Sequence, residues 1–300
     1  MTPMRAFVTG GHGFVGRWLV EHLTACGDEV TAPEELDVTD PASIGPALAD
    51  ARPDAVYHLA AFTHVGASWD DPTGAFRVNA EGTLVLLAAA RACQPAPRVL
   101  VVGSAEAYGQ VPADQLPVTE STPLQPVTPY AASKAAAEMV AIQAHLGHGL
   151  PVLRVRPFNH VGPGQAPTFV VSSLARNVAE AERKGTTSVR VGNLSAQRDF
   201  TDVRDVVAAY RRVTVDGRPG AVYNVCSGRS VAIEDIARQL LALSDAGLEL
   251  EVDTDLFRPV DVPEVRGDPS LIRETTGWEP VVPLDQTLRD TLEYWRRELA

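Results

Sequence analysis

The stretch RAFVTGGHGFVGRWLVEHL, residues 5–23, decides the fold class. A short aliphatic run ends in glycines, and a helical pattern opens directly behind them. Gly10, Gly13 and Gly16 are spaced G-x-x-G-x-x-G. Such glycines allow a tight turn, let a diphosphate approach the backbone closely, and aim a helix N-terminus at the anion. Alone the pattern says only "turn". Between a strand and a helix it points to a dinucleotide-binding unit, with Gly10, Gly13, Phe14 and Val15 beside the cofactor.

Outward from this unit the alternation continues. DAVYHLAA (54–61) precedes AEGTLVLLAAARAC (80–93), and RVLVVGS (98–104) precedes TPYAASKAAAEMVAIQAHL (128–146). Buried strands separated by helices predict an α/β fold, a Rossmann-type doubly wound parallel sheet. After about residue 157 the texture changes, with proline and glycine clustered in NHVGPGQAPT (159–168). We expect residues 1–157 and 197–229 to form the dinucleotide-binding domain. Residues 158–196 and 230–300 should form a smaller, mixed α/β substrate domain, with RDFTDVRDVVAAY (198–210) and AVYNVCSG (221–228) returning to the main sheet.

Composition narrows the partners. The 300 residues are 45% hydrophobic and carry a formal net charge of −12, which argues against a nucleic-acid surface or a polybasic membrane anchor. An anionic ligand must then be met by a few local arginines and helix N-termini. Cys26, Cys93 and Cys226 are far apart and suit a reducing cytoplasm. No run of about 18 apolar residues suggests a membrane span. The histidines show no zinc-type spacing, His145 and His148 reading as a solvated helix end, so no metal is expected.

Two segments carry chemistry. VVGSAEAYGQ (101–110) places Ser104, Glu106 and Tyr108 at a strand end with alanines between them. In YAASK, Tyr130 and Lys134 lie one helical turn apart and share a face. An ammonium there is expected to lower the phenol's pKa and hold a nicotinamide ribose, so that the tyrosine trades a proton with a carbinol or carbonyl oxygen. After the second strand, TAPEELDVTD (31–40) has no basic residue. Glu34 or Glu35 could bond an adenosine ribose, which leans the expectation towards NADH; Asp37 and Val38 are candidates for lining the adenine.

With these pieces in place, the chain resembles the extended short-chain dehydrogenase/reductase family, in its sugar-nucleotide branch. Matching motifs run nearly end to end: TGGHGFVG, DVTD, HLAA, VNAEGT, GSAEAYG, YAASK, RPFNHVGPGQ, VGNLSAQRDFTDVRD, YNVCSG and RPVDVPEVRGD. The last four look most like the GDP-mannose 4,6-dehydratases and the related GDP-6-deoxy-4-keto-D-mannose reductases that form GDP-D-rhamnose. The resemblance implies a Ser104–Tyr130–Lys134 triad, with Tyr130 as proton donor to the sugar C4 oxygen and Ser104 polarising it. It puts Leu59, Ala60, Ala61 and Asn79 beside an NAD(P)H cofactor. It gives Ser68 to the nucleotide sugar, Asn159, Arg198 and Arg258 to its diphosphate, and Asp261 to its ribose.

Glu106 has two readings under this resemblance. In the dehydratases a glutamate at that position removes the C5 proton; in the reductases it can serve only to bond sugar hydroxyls. The dehydratases carry an arginine-containing loop after the second strand that grips NADP, and here that loop is cut to TAPEE. This favours the reductase, which releases its cofactor every turn. The dehydratase, or an epimerase, is the enzymatic alternative, and a cofactor-sensing regulator the non-enzymatic one; a sensor has no need for a proton donor. The resemblance also implies a homodimer, formed by pairing the alanine-rich helices near Glu81 and Pro129 with their copies in a four-helix bundle.

Overall fold

Short strands and helices alternate through the first half of the computed structural model, which describes residues 3–253 and 262–300. They run β1 (Arg5–Thr9), α1 (Phe14–Ala25), β2 (Glu29–Thr31), α2 (Pro41–Ala51), β3 (Ala55–His58), and the short helices α3 (Ala67–Asp70) and α4 (Pro72–Phe76). A π-helical turn (Arg77–Glu81) leads into α5 (Gly82–Ala92), then β4 (Arg98–Val102), α6 (Pro129–His148) and β5 (Val152–Pro157). The second half contains β6 (Asn159–Val161), α7 (Val170–Lys184), β7 (Ser188–Val191), β8 (Gln197–Asp202), α8 (Val203–Asp216) and β9 (Val222–Val225). It closes with β10 (Ser230–Ala232), α9 (Ile233–Ala242), β11 (Glu249–Val252), β12 (Glu264–Val265), α10 (Ser270–Thr276) and α11 (Leu284–Glu298).

The main sheet has the order β2-β1-β3-β4-β5-β9, and every pair in it is parallel. Helices cover both faces. Leu19 and Leu23 of α1 and Val206, Tyr210 and Val213 of α8 pack with Val8, Tyr57 and Val155. On the other face Ile44, Leu48, Leu86, Ala141 and Ala144 of α2, α5 and α6 pack with Phe7, Val56 and Val99. The strands therefore read as apolar runs because neither face meets water. The order reverses between β1 and β3, the crevice where open α/β sheets bind ligands.

A smaller layer holds its own core, from Leu174 and Val178 of α7, Ile236 and Leu240 of α9, and Leu288 and Leu292 of α11. Here the structure corrects one expectation: residues 197–202 do not join the main sheet. As β8 they pair with β10, β12 and β6 in a second sheet. The reason lies in Asp199. Its buried carboxylate accepts from Ser227 N (2.8 Å), Ser227 Oγ (2.6 Å), Gly228 N (3.0 Å) and Gly267 N (3.3 Å). Those donors converge only where the β9–β10 turn meets the chain after β12, and a buried carboxylate needs such partners. The chain regains the main sheet with α8 and β9.

The return of α8 is fixed by charge as well as by packing. Arg211 donates to both oxygens of Asp28 at 2.8 and 2.9 Å, with both side chains almost fully buried, and Met4 N donates to the same carboxylate at 3.0 Å. Removing one member of such a pair leaves an uncompensated buried charge. Arg211→Met, which keeps most of the volume, should lower stability by roughly 3–5 kcal/mol in urea denaturation. A loss below about 1 kcal/mol, the range of exposed pairs, would mean that the pair is not buried in solution.

Candidate active site

The glycine turn sits at the β1/β3 crevice. Gly10 has φ +69°, and a Cβ there would lie 2.8 Å from Ala60 N. A Cβ on Gly16 would collide with the Gly10 carbonyl. A side chain at Gly10 would push the turn away from the Leu59–Ala61 loop, and one at Gly16 would distort the turn itself. Helix α1 then starts at Phe14 with Gly13 as its N-cap and no side-chain cap. The first-turn amides are thus available to an anion, and the turn fits the diphosphate of a dinucleotide.

The loop after β2 carries the residues expected beside the adenosine. Glu34 and Glu35 are exposed in a bend. Asp37 Oδ1 accepts from Thr39 N (2.8 Å) and Thr39 Oγ1 (2.7 Å), and these bonds hold its carboxyl below the usual range. Val38 is buried in the core beside Ile44 and Leu86. The Asp37 carboxylate thus shapes a local turn at the surface, while the Val38 side chain faces inward. Leu59, Ala60 and Ala61 are half-buried at the foot of the crevice. Asn79, in the π-helical turn, is buried: it accepts from Phe62 N (2.8 Å) and donates to Phe62 O (3.1 Å) and Ser133 Oγ (2.8 Å). It braces the loop against α6.

Helix α6 carries the chemistry. Thr128 caps its N-terminus by accepting from Ala131 N at 3.1 Å, and Pro129 occupies the first turn, where no amide partner is lost. Tyr130 and Lys134 lie one turn apart, and Ser104 faces them from the end of β4. Ser104 lies close enough to the Tyr130 phenol to favour its ionised form, and the Ser104 hydroxyl accepts from Glu106 N at 3.2 Å. Lys134 Nζ donates to Val102 O at 2.9 Å.

The charges differ from expectation. Burial pushes the Tyr130 phenol up to about 12; the Ser104 hydroxyl opposes this and the Glu106 charge adds to it. Burial pulls Lys134 down to about 8, against the raising effect of Glu138. A phenol so held is protonated at neutral pH, the state a proton donor requires.

Glu138 escaped the sequence reading. It lies one further turn along the Tyr130–Lys134 face and is fully buried. Arg156 of β5 bonds it through Nε at 2.9 Å and Nη2 at 2.8 Å, and Arg154 approaches at 3.5 Å. The available signal was an acid at i+4 from Lys134 on an alanine-rich face, with arginines inside a strand. Tyr108 belongs to this assembly: its hydroxyl donates to Asn224 Oδ1 (2.7 Å) and accepts from Arg156 Nη1 (2.9 Å).

Ser68 is not open to a sugar. It has no exposed surface; its hydroxyl donates to Val65 O at 2.6 Å and accepts from Tyr130 N at 3.1 Å. It anchors the backbone of the tyrosine. Asn159 opens β6, half-buried, and Arg198 on β8 donates to Gln197 O and Val262 O at 2.8 and 2.7 Å. Arg258 and Asp261 lie outside the described residues. Among the described residues, no group of His, Cys, Asp or Glu side chains could hold a metal ion, and no helix is long and apolar enough to cross a membrane.

Comparison with known proteins matches residues 33–291 to the GDP-mannose 4,6-dehydratase family model. The chain belongs to that family. It is 39% identical over 295 residues to the GDP-6-deoxy-D-mannose reductase of Pseudomonas aeruginosa, covering 97% of both chains. The solved structure of RMD from Pseudomonas aeruginosa complexed with NADPH has TM-score 0.91 and 38% identity, covering 98% of this chain and 99% of that one. UDP-glucose 4-epimerase of Thermus thermophilus, in complex with NAD, has TM-score 0.87 and 30% identity, covering 97% and 98%. Like these relatives of the dehydratase family, the protein is an NAD(P)-dependent oxidoreductase with a Rossmann-type fold.

The lowered Lys134 fixes a pH dependence. Its ammonium is present below about pH 8 and lost above it. kcat/KM should therefore hold through neutrality and fall as pH rises through about 8. Lys134→Arg, which keeps its charge, should move that limb upward even at reduced rate. An unmoved limb would assign it to another group.

Proposed function

We propose that the protein reduces the C4 keto group of a 4-keto-6-deoxy nucleotide sugar, GDP-6-deoxy-4-keto-D-mannose, to give GDP-D-rhamnose in the cytoplasm. The observation that carries this is a half-buried tyrosine kept protonated, set beside Ser104 and one turn from a buried lysine. A reduced nicotinamide held here would supply the hydride that C4 receives. Ser104 orients the C4 oxygen, and Tyr130 gives that oxygen its proton, so one hydride and one proton yield the hydroxyl. Lys134 would hold the nicotinamide ribose and offset the negative charge left on the tyrosine. Asn159, Arg198, Arg258 and Asp261 hold the nucleotide.

NADH should serve at least as well as NADPH. Glu34 and Glu35 are exposed in the loop after β2, and no lysine or arginine occurs from Thr31 to Asp40 to meet a 2′-phosphate. The second reading is a 4,6-dehydratase, favoured by the proximity of the Glu106 charge to Tyr130. The reductase reading is supported by the short TAPEE loop and by the 39%-identical reductase.

Incubation with the keto sugar and NADH should consume one cofactor per sugar, with no deuterium entering C5 from heavy water. Tyr130→Phe should cut turnover by roughly 100-fold or more while leaving binding nearly intact. Glu106→Gln should cause only a modest loss. Product from GDP-mannose without added cofactor, abolished by Glu106→Gln, would establish the dehydratase instead. A strong NADPH preference in kcat/KM would overturn the cofactor assignment.

Assembly follows from the outer faces of α5 and α6. Leu84 is 50% exposed and Met139 52%, more apolar surface than a helix facing only the sheet requires. A homodimer through these helices should appear in light scattering at micromolar concentration. A monomer there would contradict it.

A further inference from the structure

His58, the last residue of β3, is the centre of a buried hydrogen-bond chain that the proposed reaction does not use. It is 4% exposed, and its polar neighbours Thr9, Thr83 and Asn79 are buried with it. Thr83 Oγ1 lies 2.6 Å from Asn79 O and 3.1 Å from His58 Nε2. The hydroxyl has one proton. A carbonyl at that distance has to receive it, so Nε2 must carry a hydrogen and donate to Thr83. Nδ1 is then a bare acceptor and takes the Thr9 hydroxyl proton at 2.9 Å. Thr9 Oγ1 in turn accepts from Ala60 N at 3.1 Å. Every proton has one destination, and the ring is a neutral Nε2–H tautomer.

The chain continues past Asn79. Its side chain grips Phe62 and donates to Ser133 Oγ at 2.8 Å, and Ser133 donates to Tyr130 O at 2.7 Å. One end of this path is Ala60, which touches Gly10 in the glycine turn. The other is the backbone of Tyr130. The two ends belong to different layers of the reaction: one supports the dinucleotide and one supplies the proton.

We infer that His58 is a positioning residue that holds the dinucleotide-supporting turn and the Tyr130 helix in one register, through Thr9 on one side and Thr83–Asn79–Ser133 on the other. The inference rests on the dinucleotide reading of the glycine turn. A positively charged ring would put a second donor against Thr9; burial and the Lys134 ammonium both oppose that charge, holding His58 down to about 3. The relay is therefore a fixed brace at working pH and transfers no proton itself.

The brace has two halves that can be cut separately. In His58→Phe the ring shape stays, but Thr9 and Thr83 lose their partner; ordering of the Ala60 loop then falls to cofactor binding. In Thr83→Val only the link towards Asn79 and Tyr130 is cut. Fluorescence titration with NADH and NADPH, thermal melting with and without each, and kcat with the keto sugar read the two ends. His58→Phe should weaken cofactor binding by about tenfold or more and shrink the cofactor-induced rise in melting temperature, the size of effect expected when buried hydroxyls go unpaired. Thr83→Val should keep cofactor affinity within about twofold and lower kcat by about tenfold, since small misplacements of a proton donor are costly. His58→Gln, whose amide offers one acceptor and one donor, should recover part of the loss.

A purely structural role gives a different pattern: lower melting temperatures with the cofactor-induced rise, affinity and kcat all unchanged. That result overturns the inference while leaving the dinucleotide reading intact. Should His58→Phe fail to fold, Thr83→Val decides, and an unchanged kcat there overturns it. Failure of the wild type to bind either dinucleotide would defeat the reading of the glycine turn and this inference with it.

Discussion

The fully buried carboxylate of Glu138 constrains everything around the reacting centre. It sits behind Lys134 on α6 and is met from β5 by Arg156 through two short bonds, with Arg154 close by. A buried ion pair of this kind adds little net stability compared with apolar packing, because both charges are desolvated. Its effect is positional. An arginine fork meets a carboxylate in one planar geometry, so α6 cannot slide or rotate on the sheet without breaking it. Gly103, the residue before Ser104, lies against the same carboxylate: a Cβ there would come within 2.7 Å of Glu138 Oε1. One pair thus sets both the helix bearing Tyr130 and the strand end bearing Ser104.

The same assembly accounts for the electrostatics. Lys134 is as deeply buried as its neighbours and would shed its proton readily; Glu138 counters that tendency. Tyr130, which gains no comparable support, stays protonated. The difference between the two groups suits delivery of a proton to an oxygen that has just accepted a hydride, with the ammonium ready for the phenolate that results. The sequence suggested a different balance, with a phenol already lowered by its neighbour. What periodicity could not convey is that the lysine's hydrogen bond goes to the Val102 carbonyl.

Much of the fold was legible because its main sheet follows simple rules. Apolar strands, helical spacing and the glycine turn identify the order of elements and the crevice between β1 and β3. The triad was legible because Tyr130 and Lys134 are close in sequence. Buried polar residues were not, since their partners are distant along the chain. Asp199 draws β8 into the second sheet through Ser227 and Gly267, and nothing local announces those donors. Ser68 read as a substrate contact, yet its partner is the Tyr130 amide 62 residues away. His58 stood inside a recognised segment, but its role appears only when Thr9 and Thr83 are seen on either side of it.

The interleaving of the two layers has a mechanical consequence. The described chain leaves the main sheet after β5, returns with α8, leaves again after β9, returns with α10 and leaves once more before α11. A single flexible linker would let the layers swing apart like the jaws of a clamp, but this many strands stitched across the seam forbid it. Opening for a bulky nucleotide sugar must come from bending of individual loops over a nearly rigid frame. The stitching also rules out cutting the molecule in two. A fragment ending near residue 157 would lack β9 and α8, leaving β5 as a bare edge and stripping the α8 side of the cover from Leu19 and Leu23. Each half is the scaffold on which the other folds.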